Sequence, residues 1–264
     1  MSNDLDPVRL RETLVAPAGP YAALDVVAST GSTNADLAEA ATAGVADRTV
    51  LVAGEQTAGR GRRSREWVSP PSGVYLSVLL RPAEVPAARL GSLAMVAGLA
   101  LVRTAAEAGV RSTLKWPNDL LAGGAKCAGV LSEAVSGGVV VGIGLNVGAL
   151  PVEVPAGPGG LPATSLEQAG ASGTDRTALT AALLAEFARL ERRWRAAGGD
   201  LAAAGLLDEY RAACATVGSR VRVELPNGEV TGQAVGVDEA GELLVKTDDG
   251  AETAISAGDV VHLR

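Results

Sequence analysis

The sequence predicts an α+β protein in which a larger domain of strands and helices is followed by a small β-barrel. The 264 residues are 47% apolar and 20% charged, ordinary values for a folded globular chain. Up to about residue 216, short apolar runs alternate with longer stretches of helical periodicity. After residue 217, only short alternating stretches separated by glycine turns remain. This change of pattern separates two domains.

The elements of the larger domain follow from local signals in chain order. Residues 1–20 form an N-terminal extension with one short helical stretch and a Pro/Gly break. Turn and N-cap residues at 29–34 connect an apolar strand to a helix-favouring stretch, and the polar residues 55–72 separate the next two strands. The first elements are therefore predicted as helix Val8–Leu14, strand Leu24–Ala28, helix Ala35–Thr42, strand Thr49–Ala53 and strand Val74–Leu80.

The second half of this domain begins with the clearest helix of the chain, which has apolar residues at helical spacing and no proline. Three strands joined by glycine turns follow it, and Asn118-Asp119 is predicted as a turn. Residues 148–175 are rich in Pro and Gly and are predicted to form a long surface loop. The elements are helix Arg89–Ala108, strands Thr113–Trp116, Cys127–Ala134 and Val139–Val147, and helices Leu179–Ala197 and Leu201–Ala215.

Residues 217–264 are predicted to form the barrel. Turns at Asn227-Gly228, Ala240-Gly241 and Asp249-Gly250 divide this segment into short strands. It holds four basic and nine acidic residues, so it carries most of the net negative charge of the chain. The five strands are Arg220–Leu225, Val230–Val237, Glu242–Lys246, Glu252–Ile255 and Val260–Leu263.

Composition excludes several classes of function. The net charge of −7 argues against a general nucleic-acid binder. One histidine, His262, and two cysteines leave no room for a Ser-His-Asp hydrolase, a multi-histidine metal centre or a disulfide framework. The N-terminus has no apolar signal core, and no run approaches the length of a membrane span. We therefore expect a cytoplasmic protein without a membrane partner.

An arginine- and glycine-rich loop is the first candidate site. Four of the six residues from Arg60 to Arg65 are arginine, in a chain that is otherwise acidic. Guanidinium groups bind phosphate and carboxylate in bidentate fashion, and Gly59 and Gly61 allow the backbone to approach a ligand. A solvated basic loop is the alternative. The segment is not a dinucleotide fingerprint, because Ser64 stands where the third glycine would be.

Two lysines mark the next candidates, since the chain has only three. Lys115 opens the sequence Lys-Trp-Pro-Asn-Asp, which could present an amide and a carboxylate or form a plain turn. Lys126 opens an apolar strand, where lysine commonly protects a sheet edge but could also meet an anion.

Small polar residues and strand glycines complete the set. Ser32, Thr33 and Asn34 follow a strand and could either hydrogen-bond a ligand or cap a helix. Residues 141–147 read Val-Gly-Ile-Gly-Leu-Asn-Val, and glycines inside a strand often mark the close approach of a ligand or another backbone.

The residues in these five segments and the order of the segments closely resemble those of the biotin–protein ligases. These enzymes attach biotin to the carrier domain of biotin-dependent carboxylases. The shared motifs are Ser-Thr-Asn, Gln-x-Ala-Gly-Arg-Gly-Arg-Arg-x-Arg-x-Trp, Lys-Trp-Pro-Asn-Asp, Lys-x-x-Gly-x-Leu-x-Glu and Gly-x-Gly-x-Asn-Val. The resemblance covers roughly residues 22–263. It implies a mixed-sheet biotin/lipoate-ligase catalytic domain, residues 21–216, followed by a small SH3-like β-barrel, residues 217–264.

The resemblance also implies roles for individual residues. Biotin would contact Ser32, Thr33, Asn34, Gln56, Arg60, Gly61, Arg62, Lys126 and Gly129. ATP would contact Arg62, Arg65, Trp67, Lys115, Asn118, Asp119 and Asn146, with Trp67 covering the adenine and Asp119 holding Mg²⁺. Lys126, Arg60 and Arg62 would be the catalytic residues, because they neutralise the charge where carboxylate and phosphate meet.

The implied reaction has two steps. Biotin and ATP give biotinyl-5′-adenylate and pyrophosphate, and a lysine of the biotin carboxyl carrier protein of acetyl- or acyl-CoA carboxylase then takes the biotinyl group and releases AMP. Only about 28 residues precede the Ser-Thr-Gly-Ser-Thr-Asn segment. We therefore expect no helix-turn-helix domain and no DNA partner. The alternatives are a lipoate/octanoate–protein ligase or transferase, with Cys127 as nucleophile in the octanoyl-transfer case, and a non-catalytic biotin-binding module.

Overall fold

A computed structural model describes residues 5–151 and 154–263, which form two β-sheets. The strands of the first sheet are β1 (Ala23–Thr30), β2 (Thr49–Gln56), β3 (Val74–Leu80), β4 (Ser112–Lys115), β5 (Asp119–Ala122), β6 (Ala125–Val135) and β7 (Gly138–Leu145). Their spatial order is β1-β2-β3-β7-β6-β5-β4. β1 and β2 are parallel and every other neighbouring pair is antiparallel, so the sheet is mixed.

Helices cover both faces of this sheet. They are α1 (Pro7–Leu14), α2 (Thr33–Thr42), α3 (Leu93–Glu107), α4 (Arg176–Ala196) and α5 (Leu207–Ala213). α3 and α4 pack together over the main core. On the opposite face, Leu37 and Ala41 of α2 pack on Leu51, Leu79 and Val140. The N-terminus of α2 therefore lies beside the central strands of the sheet.

The second sheet confirms the predicted set of five short C-terminal strands. They are β8 (Arg220–Leu225), β9 (Gly228–Val237), β10 (Leu243–Thr247), β11 (Glu252–Ile255) and β12 (Asp259–His262), in the order β11-β10-β9-β8-β12 with antiparallel pairing throughout. Trp116 joins the two sheets: its Nε1 donates to Gly241 O at 2.9 Å, and its backbone N–H donates to Thr216 Oγ1 at 3.0 Å. The barrel is thus attached to the strand end that carries Lys115.

Three secondary-structure predictions need correction. Asp119 does not lie in a turn but begins β5, paired with Gly129, because four residues are too few to show strand periodicity in the sequence. Within the predicted helix Leu201–Ala215, only Leu207–Ala213 is α-helical, since Gly205 adopts a φ of +65°. The predicted helix Arg89–Ala108 is a 3-10 helix as far as Ser92 and α-helical from Leu93.

The same segment contradicts the expectation that no run is long and apolar enough to span a membrane. By length and composition alone, Ala87–Glu107 meets that requirement. However, 61% of its apolar window is buried inside the protein, where α3 packs on the sheet and α4. Its composition is explained by this position in the core.

The N-terminal extension contains the predicted helix, here α1, and the predicted long loop 148–175 has little regular structure. In the extension 1–20, Asp6 caps α1 by accepting hydrogen bonds from Val8 N and Arg9 N, and residues 1–4 lie outside the described residues. Within 148–175, the described residues contain only a 3-10 turn at Pro158–Gly160, and residues 152 and 153 are not described.

Candidate active site

A cavity of about 260 Å³ lies between the N-terminus of α2, strands β6 and β7, the arginine loop and β12. Every site residue predicted from the sequence lines this one cavity. They are Ser32, Thr33, Asn34, Gln56, Arg60, Gly61, Arg62, Arg65, Trp67, Lys115, Asn118, Asp119, Lys126, Gly129 and Asn146. The fold therefore brings together residues that are separated by up to 114 positions in the chain.

Hydrogen bonds among buried side chains form one end of the cavity. The backbone N–H and the hydroxyl of Thr33 both donate to Gln56 Oε1, at 3.0 and 3.1 Å. Ser77 Oγ lies 2.7 Å from Thr33 Oγ1 and 2.6 Å from Asn34 Oδ1, but it has a single proton to donate. One of these two oxygens is therefore left as an acceptor for an N–H group of a ligand.

Neighbouring strands fix the orientation of Asn34. Its Nδ2 donates to Leu131 O at 3.2 Å and to Glu133 Oε2 at 2.6 Å, which directs Oδ1 towards β7. A Cβ atom at Gly142 would lie only 2.0 Å from that Oδ1. The strand glycine thus marks a close approach, as predicted, and the approaching group is the Asn34 side chain.

Trp67 from the arginine loop packs over the next strand glycine. A Cβ at Gly144 would lie 2.5 Å from Trp67 Nε1, and one at Gly129 would lie 3.4 Å from the ring. Lys126 Nζ is 5.2 Å from the ring centroid, within the range of a cation–π contact. Trp67 Nε1 packs against Gly144, is buried and has no hydrogen-bond partner.

Two lysines and one carboxylate form the cationic end of the cavity. Lys126 Nζ lies 2.6 Å from Asp119 Oδ1, yet that oxygen takes part in no hydrogen bond of acceptable geometry. Lys115 is only 5% exposed. Burial lowers the pKa of Lys115, and the neighbouring Lys126 adds to this effect while Asp119 opposes it.

The arginine loop contacts the second sheet. Arg63 and Arg65 both donate to the carboxylate of Asp259, at 2.8 and 2.7 Å, and Arg62 Nη1 donates to Gly258 O at 3.1 Å. Burial lowers the pKa of Arg62, although the nearby Asp259 opposes this. Arg65, predicted to contact ATP, therefore lines the cavity with its guanidinium already bound to a carboxylate.

Asn118 and Asn146 bind neighbouring main chain. Asn118 Nδ2 donates to Val130 O at 2.6 Å, and Asn146 Nδ2 donates to Thr164 O at 2.9 Å. Both side chains hold the cavity wall in place, and their contact with a nucleotide stays a prediction.

The comparisons with known proteins agree with this arrangement. The model of the biotin/lipoate A/B protein ligase family matches residues 26–149, and that of the biotin protein ligase C-terminal domain matches residues 216–263. A biotin–[acetyl-CoA-carboxylase] ligase of Mycobacterium tuberculosis is 44% identical over 267 residues, which cover 98% of this chain and 96% of the relative. The chain belongs to the biotin protein ligase family.

More distant relatives share this ligase architecture. A bifunctional ligase/repressor of Bacillus subtilis is 35% identical over 88% of this chain and 71% of its own. The solved structure of an Aquifex aeolicus biotin protein ligase in complex with biotin and ATP has a TM-score of 0.76 and 29% identity, covering 92% of this chain and all of that one. The predicted fold class is confirmed by these matches and by the two sheets.

Several cavity residues of this ligase were not predicted from the sequence. Asp259, which lines the cavity, gave no local signal because its partners lie 194 and 196 positions away. Ser77 supports the cavity wall through its contacts with Thr33 and Asn34 without lining it, and it lies in an otherwise apolar strand. The proline- and glycine-rich loop adds apolar lining through Leu150, Val154, Pro155, Ala156, Pro158, Leu161 and Ala163. The apolar residues between its prolines were the only sequence signal that this loop lines a cavity as well as connecting two elements.

Cys127 argues against the octanoyl-transfer alternative. Its side chain is fully buried, is not among the residues that line the cavity, and donates to Asn146 O at 3.6 Å. Burial raises the pKa of the thiol to about 12, so it is not a thiolate at neutral pH. No thiol nucleophile therefore faces this cavity among the described residues.

The carboxylates that line the cavity, Glu66, Asp119 and Asp259, do not form a metal cage, and Asp259 is already bound by two arginines. The described residues contain no group of three His, Cys, Asp or Glu side chains placed to hold an ion. Asp119 is the predicted metal ligand, and its Oδ1 lies 2.6 Å from Lys126 Nζ, so a metal ion would share this carboxylate with the ammonium group. Mg²⁺ is commonly held by one or two carboxylates together with substrate phosphates, and Asp119 suits that mode.

Proposed function

We propose that this ligase activates biotin with ATP to biotinyl-5′-adenylate and transfers the biotinyl group to a lysine of a biotin carboxyl carrier protein of acetyl- or acyl-CoA carboxylase. One observation carries the proposal: a single cavity joins a neutral, hydrogen-bonding end to a cationic end. Biotin has a polar ureido group at one end, an apolar chain in the middle and a carboxylate at the other. The two ends of the cavity match the two ends of that molecule.

The ureido group belongs at the α2 end. The side-chain protons of Thr33 and Asn34 already have acceptors, so this end offers an oxygen to a ligand N–H. A dithiolane ring, as in lipoate, has no N–H to give, and a buried acceptor left unpaired is costly. The site therefore favours biotin over lipoate.

The first step takes place at the cationic end. A carboxylate oxygen of biotin attacks the α-phosphorus of ATP, the bond to the β-phosphate oxygen breaks, and pyrophosphate leaves. Two anions must approach each other, and Arg60, Arg62 and Lys126 supply the opposing charge. Lys115 and Trp67 line the same cavity and would contact the nucleotide.

In the second step the ε-amine of the carrier lysine attacks the carbonyl carbon of the mixed anhydride. An amide bond forms, the bond from the carbonyl carbon to the phosphate oxygen breaks, AMP leaves, and the neutral attacking amine loses one proton. No protein nucleophile is required. This suits a cavity in which the described residues present no thiol and no histidine, since His262 contacts Thr216 instead of lining it.

Mg²⁺ would arrive with ATP and be held by Asp119 and the phosphates. Bound there, it would neutralise phosphate charge during the first step. Asp119 already holds Lys126, so the same carboxylate orients the ammonium group.

The remaining expectations belong to the same proposal. A catalytic domain at 21–216 and a barrel at 217–264 agree with the position of the two sheets. ATP as a substrate supports a cytoplasmic location. The absence of a DNA partner stays a prediction from the net charge of −7.

Biotin-dependent exchange of labelled pyrophosphate into ATP tests the first step, and labelling of a carrier domain tests the second. We expect exchange that requires biotin and is not supported by lipoate or octanoate. A protein that binds biotin without exchange would be a binding module, and exchange supported by lipoate would identify a lipoate ligase.

A further inference from the structure

Asp259, the first residue of β12, holds two of the four loop arginines. Its side chain is 8% exposed, and its two oxygens accept hydrogen bonds from Arg63 and Arg65 at 2.8 and 2.7 Å. Burial raises the pKa of Asp259, but the hydrogen bond from Arg65 and the charges of the arginines outweigh it and lower the pKa. The carboxylate is therefore ionised and bound at both oxygens.

Backbone groups of the second sheet add to this attachment. Arg62 donates to Gly258 O at 3.1 Å, and Arg63 Nη2 donates to Glu224 O at 2.9 Å. Three consecutive residues of the barrel, 258–260, also line the cavity itself. The loop is thus held against β8 and β12 on the side that faces the cationic end.

The loop needs such external contacts because its own backbone is unfavourable. Arg63 and Ser64 have φ values of 54° and 57°, in the left-handed region that favours glycine. Two adjacent non-glycine residues in that region persist only when the surroundings hold them there. The hydrogen bonds to Asp259 hold Arg63 and Arg65, the residues on either side of Ser64, and so restrain the backbone between them.

We propose that Asp259 is a positioning residue that keeps the arginine loop closed over the cavity and so retains the acyl-adenylate. Asp259 neutralises Arg63 and Arg65, whereas Arg60 and Arg62 form no ion pair among the described residues and supply positive charge to the ligand, although Arg62 also donates to Gly258 O. This inference rests on the proposed function, since it concerns the intermediate of that reaction.

The chemical consequence of an open loop is loss of the intermediate. A water oxygen attacks the carbonyl carbon of biotinyl-adenylate, the bond from that carbon to the phosphate oxygen breaks, and biotin, AMP and a proton are released. Closing a loop over a reactive intermediate prevents this reaction. Without Asp259, ATP is consumed in the absence of any carrier.

The test substitution is Asp259→Asn, which keeps the shape and removes the charge. We expect the biotin-dependent release of AMP without carrier to rise by about tenfold, as for the loss of charge-assisted hydrogen bonds to a buried carboxylate. Trypsin should also cut after Arg62, Arg63 and Arg65 faster than in the wild-type protein. Asp248→Asn is the matched control, because Asp248 makes a 2.7 Å pair with Arg220 at an exposed position in the same sheet.

A double-mutant cycle separates positioning from direct contact with ATP. If Arg65 acts through Asp259, then Arg65→Gln added to Asp259→Asn changes the AMP release no further. If the two effects multiply, Arg65 and Asp259 act independently and the proposal is wrong. Should Asp259→Asn fail to fold, the variant Arg63→Gln/Arg65→Gln removes the same contacts from the loop side and must show the same AMP release. Its trypsin cleavage is compared with the wild type only after Arg60 and Arg62, the loop sites that it keeps.

Failure of the inference differs from failure of the function. A wild-type protein without biotin-dependent exchange would refute the proposed function, and the trypsin measurement would still report on the loop. Wild-type exchange together with unchanged AMP release and unchanged cleavage in Asp259→Asn would refute the inference alone.

Discussion

Lys126→Ala separates a catalytic from a structural interpretation of the lysine that begins β6. Lys126 lies 2.6 Å from Asp119 Oδ1 and lines the cavity beside Trp67. If its charge meets the carboxylate and the α-phosphate, its removal lowers the rate of adenylate formation. If it only protects the strand, the rate is unchanged and only stability responds.

The two effects have different sizes. Loss of one electrostatic contact to a developing anionic centre costs about 3 kcal/mol in the transition state, or about a hundredfold in rate. Loss of Lys126 also leaves Asp119, whose side chain is 10% exposed, as an unpaired buried charge. That costs about 3 kcal/mol of unfolding free energy.

The double variant Lys126→Ala/Asp119→Asn distinguishes these effects, because it removes both charges together. We expect it to recover most of the stability in a urea titration while pyrophosphate exchange stays at least as low as in Lys126→Ala. Lys126→Arg should restore little exchange, since a planar guanidinium does not replace a compact ammonium group in a close contact. Normal exchange by a folded Lys126→Ala protein would remove Lys126 from the catalytic residues.

Two further substitutions test other parts of the cavity. Gly142→Ala places a Cβ 2.0 Å from Asn34 Oδ1, so we expect the KM for biotin to rise by about tenfold or more while the KM for ATP changes little. The control is Gly236→Ala, whose Cβ would meet no atom closer than 3.8 Å, and its KM values should match those of the wild type. Ser64→Gly should keep full pyrophosphate exchange, because glycine readily adopts the φ of 57° found at this position. Ser64→Val should lower the exchange by about tenfold, because a β-branched residue is strained at that φ by about 1–2 kcal/mol. Equal activity of the two Ser64 variants would show that the loop does not need this conformation.

The sequence could predict which segments meet at the site but not how each side chain is used. The strand glycines indicated that some group approaches the strand closely. Only the structure shows that the Asn34 side chain packs at Gly142 and the Trp67 side chain at Gly144. A glycine in the sequence does not show which side chain packs against it, because that side chain comes from a distant segment of the chain. The same limit applies to Ser77, whose neighbours in β3 are all apolar.

Long-range pairing sets a second limit. Asp259 sits in a strand with no motif, and its partners in the arginine loop are almost 200 positions away. Asp119 was identified as a functional carboxylate but placed in a turn, because a four-residue strand shows no periodicity. Regular elements such as β3 and α1 were predicted well because their signals are local.

Charge balance explains how this cavity can be cationic in a folded, acidic protein. Like charges this close repel one another, and unpaired charges are costly to bury. In the structure, Asp259 neutralises Arg63 and Arg65, and Asp119 neutralises Lys126. An anionic ligand at this end must therefore compete with Asp119 for Lys126. Arg60, Arg62 and Lys115 also line the cavity and form no ion pair among the described residues, so they supply the positive charge that the carboxylate and phosphate meet without displacing Asp119.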